Sequence, residues 1–408
     1  MELLWSLYRG ADWEIKPSLE RIRRALRRVG EPHRAYPSLV VGGTNGKGSS
    51  CAFTERILRE HGLKTGWFVS PHLITERERW RINGVPISYE RARELINGLL
   101  PVIKAFRLTY FEAATLVALK LFQEEGVDAA VLEVGMGGRW DATKAAEPVL
   151  AAVTNAERDH TKWLGPTVES IAAEKLALFE GVSGGVLGSS RWPLYPKALE
   201  LGLNGLLVAG QDYEYAGVTE GPNTALSYFR SPFLTLDETP LSLWGRWQAD
   251  NAATAVALSS LFIKLSPEKV KRALSSTVWE GRMEVIRRKP LLMLDASHNP
   301  YAVAKVAREV SRHFSSVTPA FSSLKGKEWE LSLSLLRRYF NEILIVPIEG
   351  YERAEEPERM LKYALKLGFR AELVTVKELI TLERDLLVLG SIYLIARVKE
   401  LFGRAYGP

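Results

Sequence analysis

Residues 43–49 read Gly43-Thr44-Asn45-Gly46-Lys47-Gly48-Ser49, and no other stretch constrains the fold as tightly. The run Ser38-Leu39-Val40-Val41 ahead of it has the length and content of a short buried strand. Behind it Cys51, Thr54, Ile57 and Leu58 recur at helical spacing, and His61-Gly62 can close that helix. A glycine-rich turn between strand and helix offers backbone N–H groups and a helix N-terminus to phosphate oxygens. Lys47 adds a point charge for terminal phosphates, and Ser49 or Ser50 is placed to reach a magnesium ion. The general phosphate loop has Ser or Thr directly after Gly-Lys, whereas here Gly48 intervenes and Val41 takes the first glycine position. A turn that binds nothing is the alternative. It has to explain why strand, turn, lysine and helix fall in this order.

The rest of the chain repeats the alternation. Residues 65–69, 129–134 and 149–155 read as strands, and Phe111, Ala114, Thr115, Ala118, Leu119 and Phe122 trace one helical face. A helix is expected over 167–178. Residues 183–244 carry more glycine and proline and read as a mixed β-rich portion, after which a helix resumes at 248–264. From Gly281 the pattern restarts: strands at 291–294, 342–346 and 385–389, and helices at 300–314, 357–367 and from 391. This is a doubly wound parallel sheet followed by a smaller α/β unit. With 408 residues the chain exceeds one ordinary core, and the division is placed at 1–281 and 282–408.

Composition narrows the class. No apolar run approaches the roughly 20 residues of a membrane span, and the first residues lack a secretory signal. A single cysteine, Cys51, excludes an internal disulfide and suits a reducing, cytoplasmic setting. Cys51 reads as packed core on the helix behind the loop, with a catalytic role as the lesser alternative. The net charge of +6 suits an anionic small substrate. The run from Arg21 to Arg28 places Ile22, Leu26 and Val29 on one side of a helix with a solvated basic face. There is no zinc spacing and no aromatic RNA motif, so nucleic acid is not the expected partner; a monomer is the default.

Ligands of open parallel sheets bind at the carboxyl ends of the strands. Ser70 follows the second strand, Glu133 ends the third and His160 follows the fourth. Hydroxyl, carboxylate and imidazole are thus expected beside the triphosphate. Magnesium takes oxygen ligands, which Ser70 and Glu133 supply and His160 supplies less naturally. Each has a plainer reading: a turn-starting serine, a glutamate accepting from Gly137 and Gly138, a structural histidine. Lys175 on the next helix has no reason of its own to be singled out. Asp295-Ala296-Ser297-His298-Asn299-Pro300 follows a strand of the second unit, where Asn299-Pro300 also makes a good helix entry.

These segments resemble the folylpolyglutamate synthase and dihydrofolate synthase family, within the Mur-type amide ligases. The likeness rests on Leu19–Ile22, 43–49, Ser70-Pro71-His72-Leu73, Thr109-Tyr110-Phe111-Glu112, 133–143, 159–165, Gln248-Ala249-Asp250-Asn251-Ala252, Gly281-Arg282-Met283-Glu284, 295–300 and Gly390-Ser391-Ile392-Tyr393. Gly48 is that family's own version of the loop.

The resemblance implies that Ser70, Glu133 and His160 bind magnesium. It implies that Lys175 is carried as a carbamate helping to hold a second ion, and that Asn251, Arg282 and Asp295 contact ATP. Lys16, Pro17, Ser18 and Leu19, with Thr109, Tyr110, Phe111, Glu112, Trp140, Asp141 and Ala142, match the folate segments. Lys47, His160 and Lys175 are the implied catalytic residues. The implied reaction phosphorylates a carboxylate of dihydropteroate or a reduced folate with ATP, and L-glutamate then attacks the acyl phosphate. The first unit would hold ATP, magnesium and folate, and the second would serve glutamate ligation. Rival readings are a peptidoglycan-precursor ligase and a P-loop kinase. Two positions depart from the family pattern. Lys144 stands where asparagine is usual, and Leu176-Ala177-Leu178 follows Lys175 where Ala-Gly-Ile is usual.

Overall fold

The computed structural model describes residues 4–8 and 17–406. They form two compact units. The larger holds the chain up to residue 218 with 224–242 and 246–278, and the smaller holds 219–223, 243–245 and the chain from 279 on. The architecture is two-domain α/β.

The larger unit is built on eight strands: β1 Ser38–Gly42, β2 Thr65–Phe68, β3 Trp80–Ile82, β4 Val85–Pro86, β5 Ala129–Glu133, β6 Leu150–Val153, β7 Gly184–Leu187 and β8 Leu206–Val208. Their order is β4-β3-β2-β5-β1-β6-β7-β8. All pairs are parallel except the β3–β4 hairpin and its junction with β2 at one edge. β1, β5 and β6 are buried along their whole length, as strands of a sheet covered on both faces must be. The register sets Val41 beside Glu133 on one side and Ala152 on the other. The segments leaving β1, β5 and β6 therefore emerge together, where the strand order turns about β1. Helix Lys47–Glu60 follows β1 and packs on helices Gln248–Phe262 and Pro267–Ser276.

The stretch read as a mixed β-rich portion holds five strands. β7 and β8 extend the parallel sheet, and only β9 Glu214–Glu220, β10 Asn223–Arg230 and β11 Thr235–Leu241 form a sheet of their own. A Cβ on Gly185 would lie 2.3 Å from the Phe179 ring, so the glycine is there for packing. Helix Tyr89–Ala105 also escaped the reading, because Pro101 sits inside it.

The smaller unit carries β12 Glu284–Arg288, β13 Leu291–Leu294, β14 Thr318–Phe321, β15 Glu342–Ile345, β16 Arg370–Leu373 and β17 Leu386–Leu389. The order is β12-β13-β17-β14-β15-β16, with β12 antiparallel and the others parallel. Helix Pro300–His313 starts as its sequence announces: the Asn299 side chain accepts the Ala302 N–H at 2.9 Å. Among the described residues no helix is long and apolar enough to cross a membrane.

Candidate active site

The glycine-rich loop is pinned on both sides. Gly43 has φ 141°, and a Cβ there would fall 1.9 Å from Thr154 Oγ1. Gly46 has φ 87°, and a Cβ there would meet Asn251 Oδ1 at 2.2 Å. Beyond β6, Thr154 Oγ1 donates to the Asn45 carbonyl at 2.7 Å and Asn155 Nδ2 donates to it at 2.9 Å. In return Asn155 Oδ1 accepts the Asn45 N–H at 3.0 Å. Thr44 Oγ1 donates to the Glu157 carbonyl at 3.1 Å and accepts the Glu157 N–H at 2.9 Å. The loop is thus preorganised by residues that follow β6. Thr154, Asn155 and Glu157 carried no weight in the sequence reading, although their place after a strand was a usable signal.

Two lysines converge on one carbonyl. Lys47 Nζ donates to Gly43 O at 3.0 Å and to Thr44 O at 3.1 Å, and Lys175 Nζ donates to the same Gly43 O at 2.9 Å. Lys175 is 4% exposed. Burial, and then the neighbouring Lys47 charge, bring its pKa down to about 7. An amine of lowered basicity is neutral in a larger fraction of molecules than a solvated lysine, and a neutral amine is what reacts with carbon dioxide. Ser49 and Ser50 are both buried on the first turn, and the Ser50 hydroxyl donates to the Asn251 carbonyl at 3.3 Å. Asn251 therefore sits against the loop, on a helix roughly 200 residues further along the chain.

Ser70 and Glu133 also meet. The Ser70 N–H donates to Glu133 Oε2 at 3.0 Å, and Glu133 is 3% exposed. The contact runs through the Ser70 backbone, and serine hydroxyl and buried carboxylate are the oxygen donor types that fit magnesium. His160 is placed differently. It begins the short helix Thr161–Leu164 with φ 51°, its imidazole is 41% exposed, and Nε2 lies 3.7 Å from Asp159 Oδ2. Among the described residues no three His, Cys, Asp or Glu side chains gather as a metal site. Cys51 is fully buried, and burial pushes its thiol well above the ordinary range, which suits packing and not nucleophilic chemistry.

The segments expected to meet folate cluster around helix Tyr110–Glu124. Thr109 and Glu112 form a capping box at its start. Arg21 then pairs with the Glu112 carboxylate at 3.2 Å. Phe111 lies against Phe68 with ring centroids 5.6 Å apart. Leu19 is buried, Ser18 Oγ accepts the Glu20 N–H at 3.1 Å, and Pro17 is exposed. Lys16 lies outside the described residues. Trp140 is half exposed and Ala142 buried. Asp141 is buried and braces the turn after β5: Oδ2 accepts the Gly135 and Met136 N–H groups at 3.0 Å, and Oδ1 takes Thr143 Oγ1 at 2.6 Å. Burial pushes its carboxyl pKa up against those hydrogen bonds.

In the smaller unit Asp295 accepts the Met283 N–H at 3.0 Å and the Ser297 N–H at 2.8 Å. Burial raises its pKa, and the Arg282 charge opposes the rise.

Residues 41–190 match the Mur ligase middle domain family. The dihydrofolate synthase/folylpolyglutamate synthase of Escherichia coli (strain K12) is 30% identical over 400 residues, covering 95% of this chain and 92% of that protein. The chain belongs to the dihydrofolate synthase/folylpolyglutamate synthase family. It is an ATP-dependent acid–amino-acid ligase. The ligase spans half the length of a Haloferax volcanii relative, a probable bifunctional folylpolyglutamate synthase/dihydropteroate synthase, at 31% identity and 97% of this chain. A solved Mycobacterium tuberculosis folylpolyglutamate synthase complexed with ADP aligns with TM-score 0.90 and 26% identity over 98% of both chains. A bifunctional folylpolyglutamate synthase/dihydrofolate synthase with Mn, AMPPNP and L-glutamate bound aligns at 0.85 and 28%, again over 98% of both.

Proposed function

We propose that the ligase joins L-glutamate to dihydropteroate, to a reduced folate, or to both, in the cytoplasm, through an acyl phosphate. The observation that carries this reading is the convergence of Lys47 and Lys175 on Gly43 O, on the sheet edge from which the Ser70–Glu133 pair also emerges. A carboxylate is a poor electrophile. Phosphorylating it supplies a leaving group, so the glutamate amine attacks the acyl carbon, the C–N bond forms and phosphate departs. In the proposed assignment the first unit holds ATP, metal and folate, and the second serves the glutamate step.

The loop N–H groups and Lys47 hold the phosphates, Lys47 exchanging its two carbonyl partners for phosphate oxygens. Ser50 is engaged with Asn251, which favours Ser49 as the hydroxyl directed to the metal. Ser70, Glu133 and His160 would hold one ion, and carbamylated Lys175 would help hold a second. Bound magnesium neutralises phosphoryl oxygens as charge shifts. The Lys175 amine attacks carbon dioxide, forming an N–C bond and releasing its proton to solvent, and so turns a buried base into an oxygen donor.

The deciding experiment is ADP release with glutamate, comparing dihydropteroate with tetrahydrofolate and weighing the products. The reading requires glutamate-dependent ADP release and a product heavier by one glutamyl residue. A stable phosphoester formed without glutamate points to the kinase instead. Turnover confined to a nucleotide-sugar acceptor points to the peptidoglycan ligase.

A further inference from the structure

The segment from Ser70 to Arg79 is braced from inside by its own charges. The Glu78 carboxylate accepts the Leu73, Ile74 and Thr75 N–H groups at 2.7, 2.9 and 2.7 Å. Glu76 reaches outward: its carboxylate accepts the Leu4 and Trp5 N–H groups at 2.8 Å and the Tyr110 hydroxyl at 2.9 Å. The Val69 N–H donates to the Arg79 carbonyl at 3.0 Å and closes the base.

Arg79 is the unusual member. It is 6% exposed, yet no carboxylate pairs with it among the described residues. Its Nε donates to His72 Nδ1 at 2.9 Å and its Nη1 to Ser70 Oγ at 3.4 Å. Its guanidinium lies over the Tyr110 ring, 5.2 Å from the centroid. A buried cation without a counter-ion is costly, and a planar donor fork stacked on an aromatic ring is a geometry that lysine does not reproduce. Both hydrogen bonds end on the short loop that carries Ser70, and the stacking ends on the first residue of the acceptor helix.

We infer that Arg79 is a positioning residue that ties the metal-binding hydroxyl of Ser70 to the acceptor-binding Tyr110, so that one guanidinium sets both metal and acceptor affinity. The inference rests on the assignment of Ser70 to the metal and of Tyr110 to the acceptor. The Nη1–H takes one lone pair of Ser70 Oγ and leaves the other for a cation. His72 Nδ1, which accepts from Arg79, holds the second arm of the fork, and the Tyr110 ring fixes the plane. Outer-shell partners of this kind change metal affinity by about 10- to 100-fold when removed.

The test is Mn2+ binding to the complex with AMPPNP, followed by electron paramagnetic resonance, beside KM for the acceptor. Arg79→Lys and Arg79→Gln are each expected to weaken Mn2+ binding at least about tenfold and to raise acceptor KM. Tyr110→Leu, which removes the stacking face together with the hydroxyl bonded to Glu76, is expected to weaken Mn2+ binding as well, whereas Tyr110→Phe, which loses the hydroxyl alone, is expected to leave it unchanged; a residue serving the acceptor alone leaves it unchanged in both. Melting temperatures identify variants that fail to fold, and Tyr110→Leu keeps the inference testable if both Arg79 variants do. Ser70→Ala separates the two levels. If it leaves Mn2+ affinity intact, the assignment of Ser70 to the metal is wrong. If it weakens binding while folded Arg79 and Tyr110 variants bind Mn2+ normally, the tie through Arg79 is overturned and the metal assignment stands.

Discussion

Lys175 was invisible to pattern reading and is the most informative side chain once the chain is folded. On a helix a lone lysine reads as solvated; here it is buried against Gly43 O and Lys47, and its basicity falls with the loss of water. Depleting carbon dioxide and bicarbonate is expected to lower turnover reversibly, and native mass spectrometry of the active protein is expected to show the added CO2. Unchanged activity in rigorously degassed buffer would remove the carbamate from the mechanism. Gly46 gives a second prediction. Gly46→Ala combines a positive φ with a Cβ 2.2 Å from Asn251 Oδ1, so calorimetry is expected to show ATP affinity reduced by at least about tenfold.

At the scale of elements, what was legible followed from periodicity and strand ends. β1, β5 and β6 are apolar runs of the right length, and Ser70 and Glu133 follow from the rule that ligands gather where such strands finish. The failures have physical causes. The role of Gly185 was not legible, because its packing partner, Phe179, is known only from the fold. The run Glu76-Arg77-Glu78-Arg79 was not singled out, although Glu76 and Arg79 are buried, because their partners are known only from the fold. The Thr109 cap is a local device, and Thr109→Ala is expected to cost about 1 kcal/mol by denaturant titration. His33 belongs to the short turn Pro32–Arg34, where burial holds its pKa below 6.5 against the Glu147 charge, and its Nδ1 has no hydrogen-bond partner. The unfolded chain therefore takes a proton that the folded chain refuses. Stability is full above about pH 6.5 and declines as pH falls from there through the lower native pKa. His33→Gln is expected to flatten that part of the melting-temperature profile; an identical slope would assign the acid sensitivity elsewhere.

For the whole molecule, the two-unit α/β plan was readable from the restart of strand–helix alternation after Gly281, whereas the return of residues 219–223 and 243–245 to the smaller unit was not, because it depends on tertiary pairing. Binding stabilises whatever it binds, by about 2.7 kcal/mol at a hundredfold excess over Kd. AMPPNP with magnesium is therefore expected to raise the melting temperature of the wild-type chain. Lys47→Ala is expected to melt normally without ligand, to lose most of that rise and to lack turnover. Full amide formation by that variant would remove Lys47 from the chemistry.

The two departures from the family pattern touch each other. Lys144 Nζ donates to the Ala177 carbonyl at 2.7 Å and meets Glu180 at the same distance, so the turn stretched from Asp141 and the end of the helix bearing Lys175 are stitched into one piece. A chimera importing the common asparagine at 144 into this background would free the Ala177 carbonyl, leave Glu180 to Arg139 alone and slacken the seam beneath Lys175.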